Sequence, residues 1–362
     1  MKLTQLFLLI IFLLVSCKDS GVTGSGDIDD GVIRDISSME LVSEMGAGWN
    51  LGNTLDAVGE NETVWGNPVT TKAMIDAIAE RGFKTLRLPV TWKTHMGSAP
   101  DYTIDQDWLN RVQQVVDYGI DNEMYVIINI HHDDSWIIPT LVKSDQVRNQ
   151  LDIVWTQIAN HFKDYSDYLL FETLNEPRHE GTPEEWTGGT AEGRQVVNLY
   201  QQVSLDAIRA TGGNNSKRHV LISTYAAAGY PHVLDDFILP DDDRLIMSLH
   251  NYNPWGMLTG DQPNWGSSND RASIDSDMSS YNNRFISKGI PIVLTEWGSS
   301  DYGNLDDRLR HAEYFAGACA QYGIVPVWWD VGVYENSSGL MDRRTLQWPF
   351  GDIADTIINA VK

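Results

Sequence analysis

Leu170-Phe171-Glu172-Thr173-Leu174-Asn175-Glu176-Pro177 reads as an apolar strand that delivers Asn-Glu into a loop closed by proline. A second run, Ile292-Val293-Leu294-Thr295-Glu296-Trp297-Gly298, repeats the arrangement and sets another carboxylate at its end. Around these two, at 168–174 and 292–295, similar strand-like runs fall at 46–51, 85–90, 125–130, 219–224, 245–249 and 325–328. Between them lie segments at 71–81, 107–118, 147–162, 194–210, 273–288 and 306–322 whose apolar residues recur at the helical spacing of three and four. Alternating strand and helix predicts parallel pairing, and eight strands predict closure into a single (β/α)8 barrel of the α/β class. Gly82, Gly119, Gly289 and Gly323 each sit between a helix and the next strand, where a left-handed C-cap residue is favoured.

A barrel of this kind collects its chemistry at the C-terminal ends of the strands, because the βα loops converge there over a solidly packed interior. Arg87 lies in the second strand and His131, with His132 beside it, ends the third. Asn175 and Glu176 follow the fourth strand, and His250 and Tyr252 follow the sixth. Glu296 ends the seventh strand and Trp328 the eighth. Two acids held on separate rigid strands suit cleavage of a glycosidic bond, one protonating the departing oxygen and one attacking or activating water at the anomeric carbon.

The runs Gly48-Trp49-Asn50-Leu51-Gly52-Asn53-Thr54, Leu86-Arg87-Leu88-Pro89-Val90-Thr91-Trp92, Asn129-Ile130-His131-His132, Leu249-His250-Asn251-Tyr252 and Trp328-Trp329-Asp330, taken with the two above, resemble glycoside hydrolase family 5. The first and last look most like its subfamily 4, the endo-β-1,4-glucanases and xyloglucanases. The resemblance runs from about residue 39 to residue 358 and implies a retaining endo-β-1,4-glucanase acting on cellulose, mixed-linkage glucan or xyloglucan, with no cofactor. Glu176 matches the family's Asn-Glu-Pro motif as acid/base, its pKa raised by the second carboxylate. Glu296 is then the nucleophile, kept ionised by Arg87 and hydrogen-bonded by Tyr252. Glu172, inside the apolar run, is the rival carboxylate and reads as a buried structural group paired with a cation.

Asn175 suits the 2-hydroxyl of the sugar. His131 and His250 match the family's histidines on strands three and six, as contacts to substrate or to a carboxylate. His132 is open, since neighbours on a strand face opposite ways. The same alternation leaves Trp328, the first choice for the sugar platform, exchangeable with Trp329. Trp49 and Trp92 read as core, while Trp136, Trp186, Trp255 and Trp265 fall in loops where they can flank the substrate.

The formal charge of −24 argues against nucleic acid or an anionic membrane surface as partner, whereas a neutral polysaccharide is indifferent to it. His131-His132-Asp133-Asp134 has no recognised metal-ligand spacing, so no metal is expected; Asp241-Asp242-Asp243 reads as a solvated charge run, with calcium the other reading. Residues 1–17 carry Lys2, an apolar stretch at 6–15 and Leu14-Val15-Ser16-Cys17, which resembles a bacterial lipobox with Cys17 as the lipidated residue. An ordinary signal peptide cut elsewhere is the other reading. Residues 18–37 are read as a flexible tether and 38–362 as the catalytic domain. With Cys17 lipidated, Cys319 has no partner for a disulfide and reads as a buried apolar residue. The expectation is a monomeric, exported lipoprotein on the outer membrane or cell surface, or otherwise a secreted protein. A xyloglucan- or mannan-specific endo-hydrolase of the same fold, a catalytically inactive surface glycan-binding protein and a barrel acting on phosphorylated metabolites are the alternatives.

Overall fold

The computed structural model describes residues 31–362, so the leader, Cys17 and the first part of the expected tether lie outside the described residues. In chain order the elements are α1 (Ser38–Met45), β1 (Gly48–Leu51), α2 (Lys72–Arg81), β2 (Thr85–Leu88), α3 (Gln106–Ile120), β3 (Tyr125–Asn129), α4 (Leu141–His161), β4 (Leu169–Glu172) and α5 (Ala191–Ala210). They continue with β5 (Val220–Ala228), α6 (Pro231–Asp236), β6 (Leu245–His250), α7 (Gly256–Thr259), α8 (Ser268–Arg284), β7 (Ile292–Trp297), α9 (Leu305–Gln321), β8 (Val325–Asp330) and α10 (Gly351–Ala360). The eight strands pair in parallel and in order, and β8 returns to β1 to close the barrel. Strands in such a sheet are covered on both faces, which is why they read as continuous apolar runs.

Alternate strand residues form two separate cores. Outward side chains such as Trp49, Leu86, Val126, Phe171 and Trp328 pack against the helices. Inward ones, including Ile127, Leu170, Leu221, Ile246, Val293 and Val327, meet Leu41, Val42 and Met45 of α1, which plugs the N-terminal end. This short helix starts on a capping box between Ser37 and Glu40, a local signal the helical spacing at 71–322 does not include. Above the inner apolar layer the inward positions turn polar, with Asn50 beside Arg87, and Asn129 beside Glu172.

Residues 31–37 are held to the barrel floor rather than hanging free. Arg34 pairs with Asp167 at 2.6 Å and with Glu44 at 2.9 Å, Asn214 donates to the Gly31 carbonyl at 2.7 Å, and Arg244 reaches Asp35 at 2.5 Å. A polar, low-complexity stretch looks like a linker locally, because its partners lie far away in sequence. Gly82, Gly289 and Gly323 have φ of 118°, 83° and 69°, in the left-handed region expected. Gly119 does not: it lies inside α3, and Glu123 at φ 56° makes that turn. Gly119 is small because a Cβ there would stand 2.6 Å from a methyl of Val126.

Candidate active site

Arg87 is fully buried at the top of β2 and organises the floor of the cleft. Its Nε donates to Glu172 at 2.8 Å, one terminal nitrogen to Glu296 at 2.8 Å and to Asn50 at 3.0 Å, and the other to Asn175 at 2.7 Å. Glu172 also accepts from Asn129 at 2.8 Å and from Ser248 at 2.5 Å, so every near neighbour of this fully buried carboxylate is a donor. A buried ion pair needs such supplementary hydrogen bonds to offset its lost hydration. Glu172 is therefore a buried partner of Arg87, in a structural position beneath the cleft.

Glu296, at the end of β7, receives Arg87 on Oε1 and the Tyr252 hydroxyl at 2.9 Å on Oε2. His250 Nδ1 lies 2.7 Å from Glu176 Oε1 and 3.4 Å from Glu296 Oε2. Donor atoms of Glu176, His250 and Glu296 all stand within 4.8 Å of one another. Irregular register between β6 and β7, just before His250 pairs with Glu296, and between β7 and β8, re-aims these side chains at the mouth.

The charges settle differently from the sequence expectation of a raised Glu176 and a depressed Glu296. Burial pushes Glu176 up, but the hydrogen bond and charge of His250, with Arg178 and His132 beyond, hold it below the ordinary carboxylate value. Burial raises Glu296, and the Glu176 charge adds to this, so it stays above its ordinary value against His250 and Arg87. Burial works against a charged His250, yet Glu296 and Glu176 together lift it above the usual imidazole value. The three groups stand close enough to titrate as one unit, in which the same electrostatics that hold Glu176 down lift His250.

Trp328 is corrected as the sugar platform: it is fully buried, faces outward with Trp49, and donates its indole N–H to the Ser338 carbonyl at 2.8 Å. Its neighbour Trp329 pairs with Asn50 on the inward face, half-buried, and lies parallel to the His131 ring at 5.7 Å with 7° between planes. His131 Nδ1 lies 3.1 Å from the Asn129 amide nitrogen, which leaves Nε2 to carry the ring proton. His132 also reaches the cleft, because β3 ends at Asn129 and strand alternation no longer applies. Its ring sits 4.4 Å from His131 and 5.4 Å from Trp65.

Of the loop tryptophans, Trp186 and Trp255 are exposed, Trp136 is half-buried with its N–H on Asp133, and Trp265 is buried against His311 and Tyr314. Trp49 and Trp92 are fully buried. Trp65 and Tyr230, both exposed, were not singled out by the sequence, and neither was Arg178. Each sits in a loop without periodicity; only the position of Arg178 directly after Asn175-Glu176-Pro177 marked it.

Two clusters hold three potential metal donors, Glu176 with His250 and Glu296, and Asp56 with His131 and His132. Both fit a metal poorly. The first is bound by Arg87 and Tyr252, and in the second the His131 nitrogen free to ligate is protonated while Asp56 accepts the backbone N–H groups of Asn53 and Thr54. Asp242, in the acidic run, is taken by Arg209 at 2.7 and 3.0 Å, and Cys319 is fully buried.

A family model for cellulase (glycosyl hydrolase family 5) matches residues 50–335. Endoglucanase B of Clostridium cellulovorans is 47% identical over 336 residues, covering 90% of this chain and 76% of that one. The structure of ZgEngAGH5_4 in complex with a cellotriose superposes with a TM-score of 0.89 at 52% identity, covering 91% of this chain and all of that one. A GH5-4 broad specificity endoglucanase from Clostridium acetobutylicum superposes at 0.87 with 46% identity, over 90% of this chain and 100% of that one.

Proposed function

Because this chain belongs to glycosyl hydrolase family 5, in the company of its subfamily 4 endoglucanases, we infer that it is a retaining endo-β-1,4-glucanase with Glu176 as acid/base and Glu296 as nucleophile. The observation that carries this reading is the gap between the carboxylates. An oxygen of Glu176 lies within 4.8 Å of one of Glu296. Double displacement works at about 5–5.5 Å, whereas inversion needs about 6.5–9.5 Å to seat a water.

In the first step a Glu296 oxygen bonds to the anomeric carbon as the carbon–oxygen bond to the leaving chain breaks, and Glu176 gives that oxygen its proton. The reactive arrangement has the shared proton on Glu176, one 2.7 Å hydrogen bond away from His250, and Glu296 ionised. Arg87 and Tyr252 hold the nucleophile from two sides, so little reorganisation accompanies attack. In the second step Glu176 takes a proton from water, the water oxygen bonds to the anomeric carbon, and Glu296 leaves. Asn175, fixed by Arg87, addresses the 2-hydroxyl, His131 offers Nε2–H, and Trp329 lies beneath the ring.

Polymer choice follows from the mouth of the barrel, where Trp65, Trp186, Trp255 and Tyr230 stay exposed. Such an edge suits an unenclosed chain, and we place cellulose-like, mixed-linkage and xyloglucan backbones within its range. The anchor reading through Cys17 rests on the lipobox, and the floor contacts of residues 31–37 favour it, since the chain then enters opposite the cleft and leaves it facing away from a membrane. Proton NMR of the first products from cellotetraose tests the mechanism. The β-anomer should appear first and mutarotate afterwards; an initial α-anomer would show inversion and end the double-displacement reading.

A further inference from the structure

Arg178, only 8% exposed, is surrounded by carboxylates from two loops. Its Nη1 lies 3.0 Å from Asp134, 3.2 Å from the Glu176 carbonyl and 3.8 Å from Glu176 Oε2. Its Nη2 lies 3.3 Å from Glu180 and its Nε 3.0 Å from Glu185. The planar face of the guanidinium is covered by the Trp186 ring, 4.4 Å to the centroid. Trp186 turns its other side outward, 53% exposed, and its carbonyl accepts from the Tyr230 hydroxyl at 3.3 Å. One guanidinium thus hydrogen-bonds the backbone of the acid residue, stands within ion-pair reach of its carboxylate and carries an exposed indole on its face.

That indole stands on a particular side of the scissile bond. An acid must meet the glycosidic oxygen, so the leaving chain departs past Glu176, whereas Trp329 reaches in from β8 under the sugar that stays. Trp186 belongs to the same β4–α5 loop as Glu176, next to Arg178. A sugar of the leaving chain stacked on Trp186 would press on the group that locates the proton donor. Arg suits this task better than Lys, since its rigid fork holds several carboxylates at set angles while its plane stacks on an aromatic ring.

We propose that Arg178 is a positioning residue that ties a leaving-chain sugar site on Trp186 to the acid carboxylate Glu176. The proposal rests on Glu176 being the acid. It is distinct from a catalytic role for Arg178, which acts only through its neighbours.

The test compares two substrates, cellotetraose, which needs the acid and fills leaving-side sites, and dinitrophenyl β-cellobioside, whose leaving group needs neither. In Arg178→Lys and in Trp186→Ala the ratio of kcat/KM on cellotetraose to that on the aryl cellobioside should fall, by about a hundredfold for the former if the carboxyl is misplaced by an ångström. Arg178→Lys should lower kcat, and Trp186→Ala should chiefly raise KM. The double variant should lose less than the product of the two, because each breaks the same connection. Equal losses on both substrates, or losses that multiply independently, would overturn the proposal. Thermal melting checks the fold, and if Arg178→Lys does not fold, Glu185→Gln with Trp186→Ala makes the same cycle from the other arm of the fork. Glu176→Gln run alongside isolates the underlying assumption. Its retention of aryl cellobioside cleavage with added azide keeps Glu176 as the acid even where the Arg178 ratio fails to move.

Discussion

His250 offers a single nitrogen, Nδ1, to both carboxylates, and its Nε2 has no partner among the described residues. Its charge is therefore governed by Glu176 and Glu296, which lift it, against burial and the Arg87 cation, which lower it. Arg178 also faces Glu176 and pulls its carboxyl down, while burial holds His132 down at about 4 and so leaves it uncharged in this range. A proton kept on a raised imidazole survives to higher pH than one kept on a depressed carboxyl. Activity should then persist above the ordinary imidazole range and fall when His250 loses its proton, because Glu176 has none to give. His250→Asn leaves the proton to the carboxylates alone, so the basic limb of kcat/KM on cello-oligosaccharides should move to lower pH. A basic limb that stays in place would show that His250 holds no catalytic proton.

At the scale of an element, β8 separates two tryptophans that one residue of register would exchange. Trp328 turns outward into the helical layer, stacked edge-on to Trp297 at 4.9 Å, and Trp329 turns inward over the cleft. Trp328→Ala should cost about 3–5 kcal/mol of stability by opening a cavity. Trp329→Ala should melt near wild type but raise KM by about tenfold through lost ring contact. Denaturant unfolding and initial rates on cellotetraose measure both, and a stable Trp328→Ala variant with a raised KM would exchange the roles. The same pair shows what the chain reveals by itself. The strands, the helix period and both carboxylates were legible because apolar runs and Asn-Glu-Pro are local signals. The facing of Trp328, the turn made by Glu123 instead of Gly119, and the docking of residues 31–37 depend on pairing and on partners far along the chain. Arg178 and Trp65 were missed for a related reason, since a loop residue has no period to mark which way it points.

Over the whole molecule the two ends of the barrel carry different work. The N-terminal end is closed by α1 and gripped by Arg34 and Arg244, while the C-terminal end holds the carboxylates under loops that leave large rings in solvent. Trp65 follows β1 and Trp329 ends β8, while Trp186 follows β4 and Tyr230 follows β5, so large rings stand at two separate parts of the mouth. Rings on both sides offer stacking surface to a polymer that continues beyond each, and a net charge of −24 neither attracts nor repels a neutral one. Cleavage should therefore fall at internal bonds. The viscosity of a soluble β-1,4-glucan should collapse before much reducing sugar appears, with short oligosaccharides rather than glucose as products. An open edge leaves xylose branches room to project into solvent, so xyloglucan should be cut at a rate comparable with the unbranched glucan. Viscometry and reducing-sugar release on the two polymers decide the matter. Slow viscosity loss with one small sugar released would mean an end-acting pocket, and rapid cutting of plain glucan alone would leave the internal mode but confine the groove to unbranched chains.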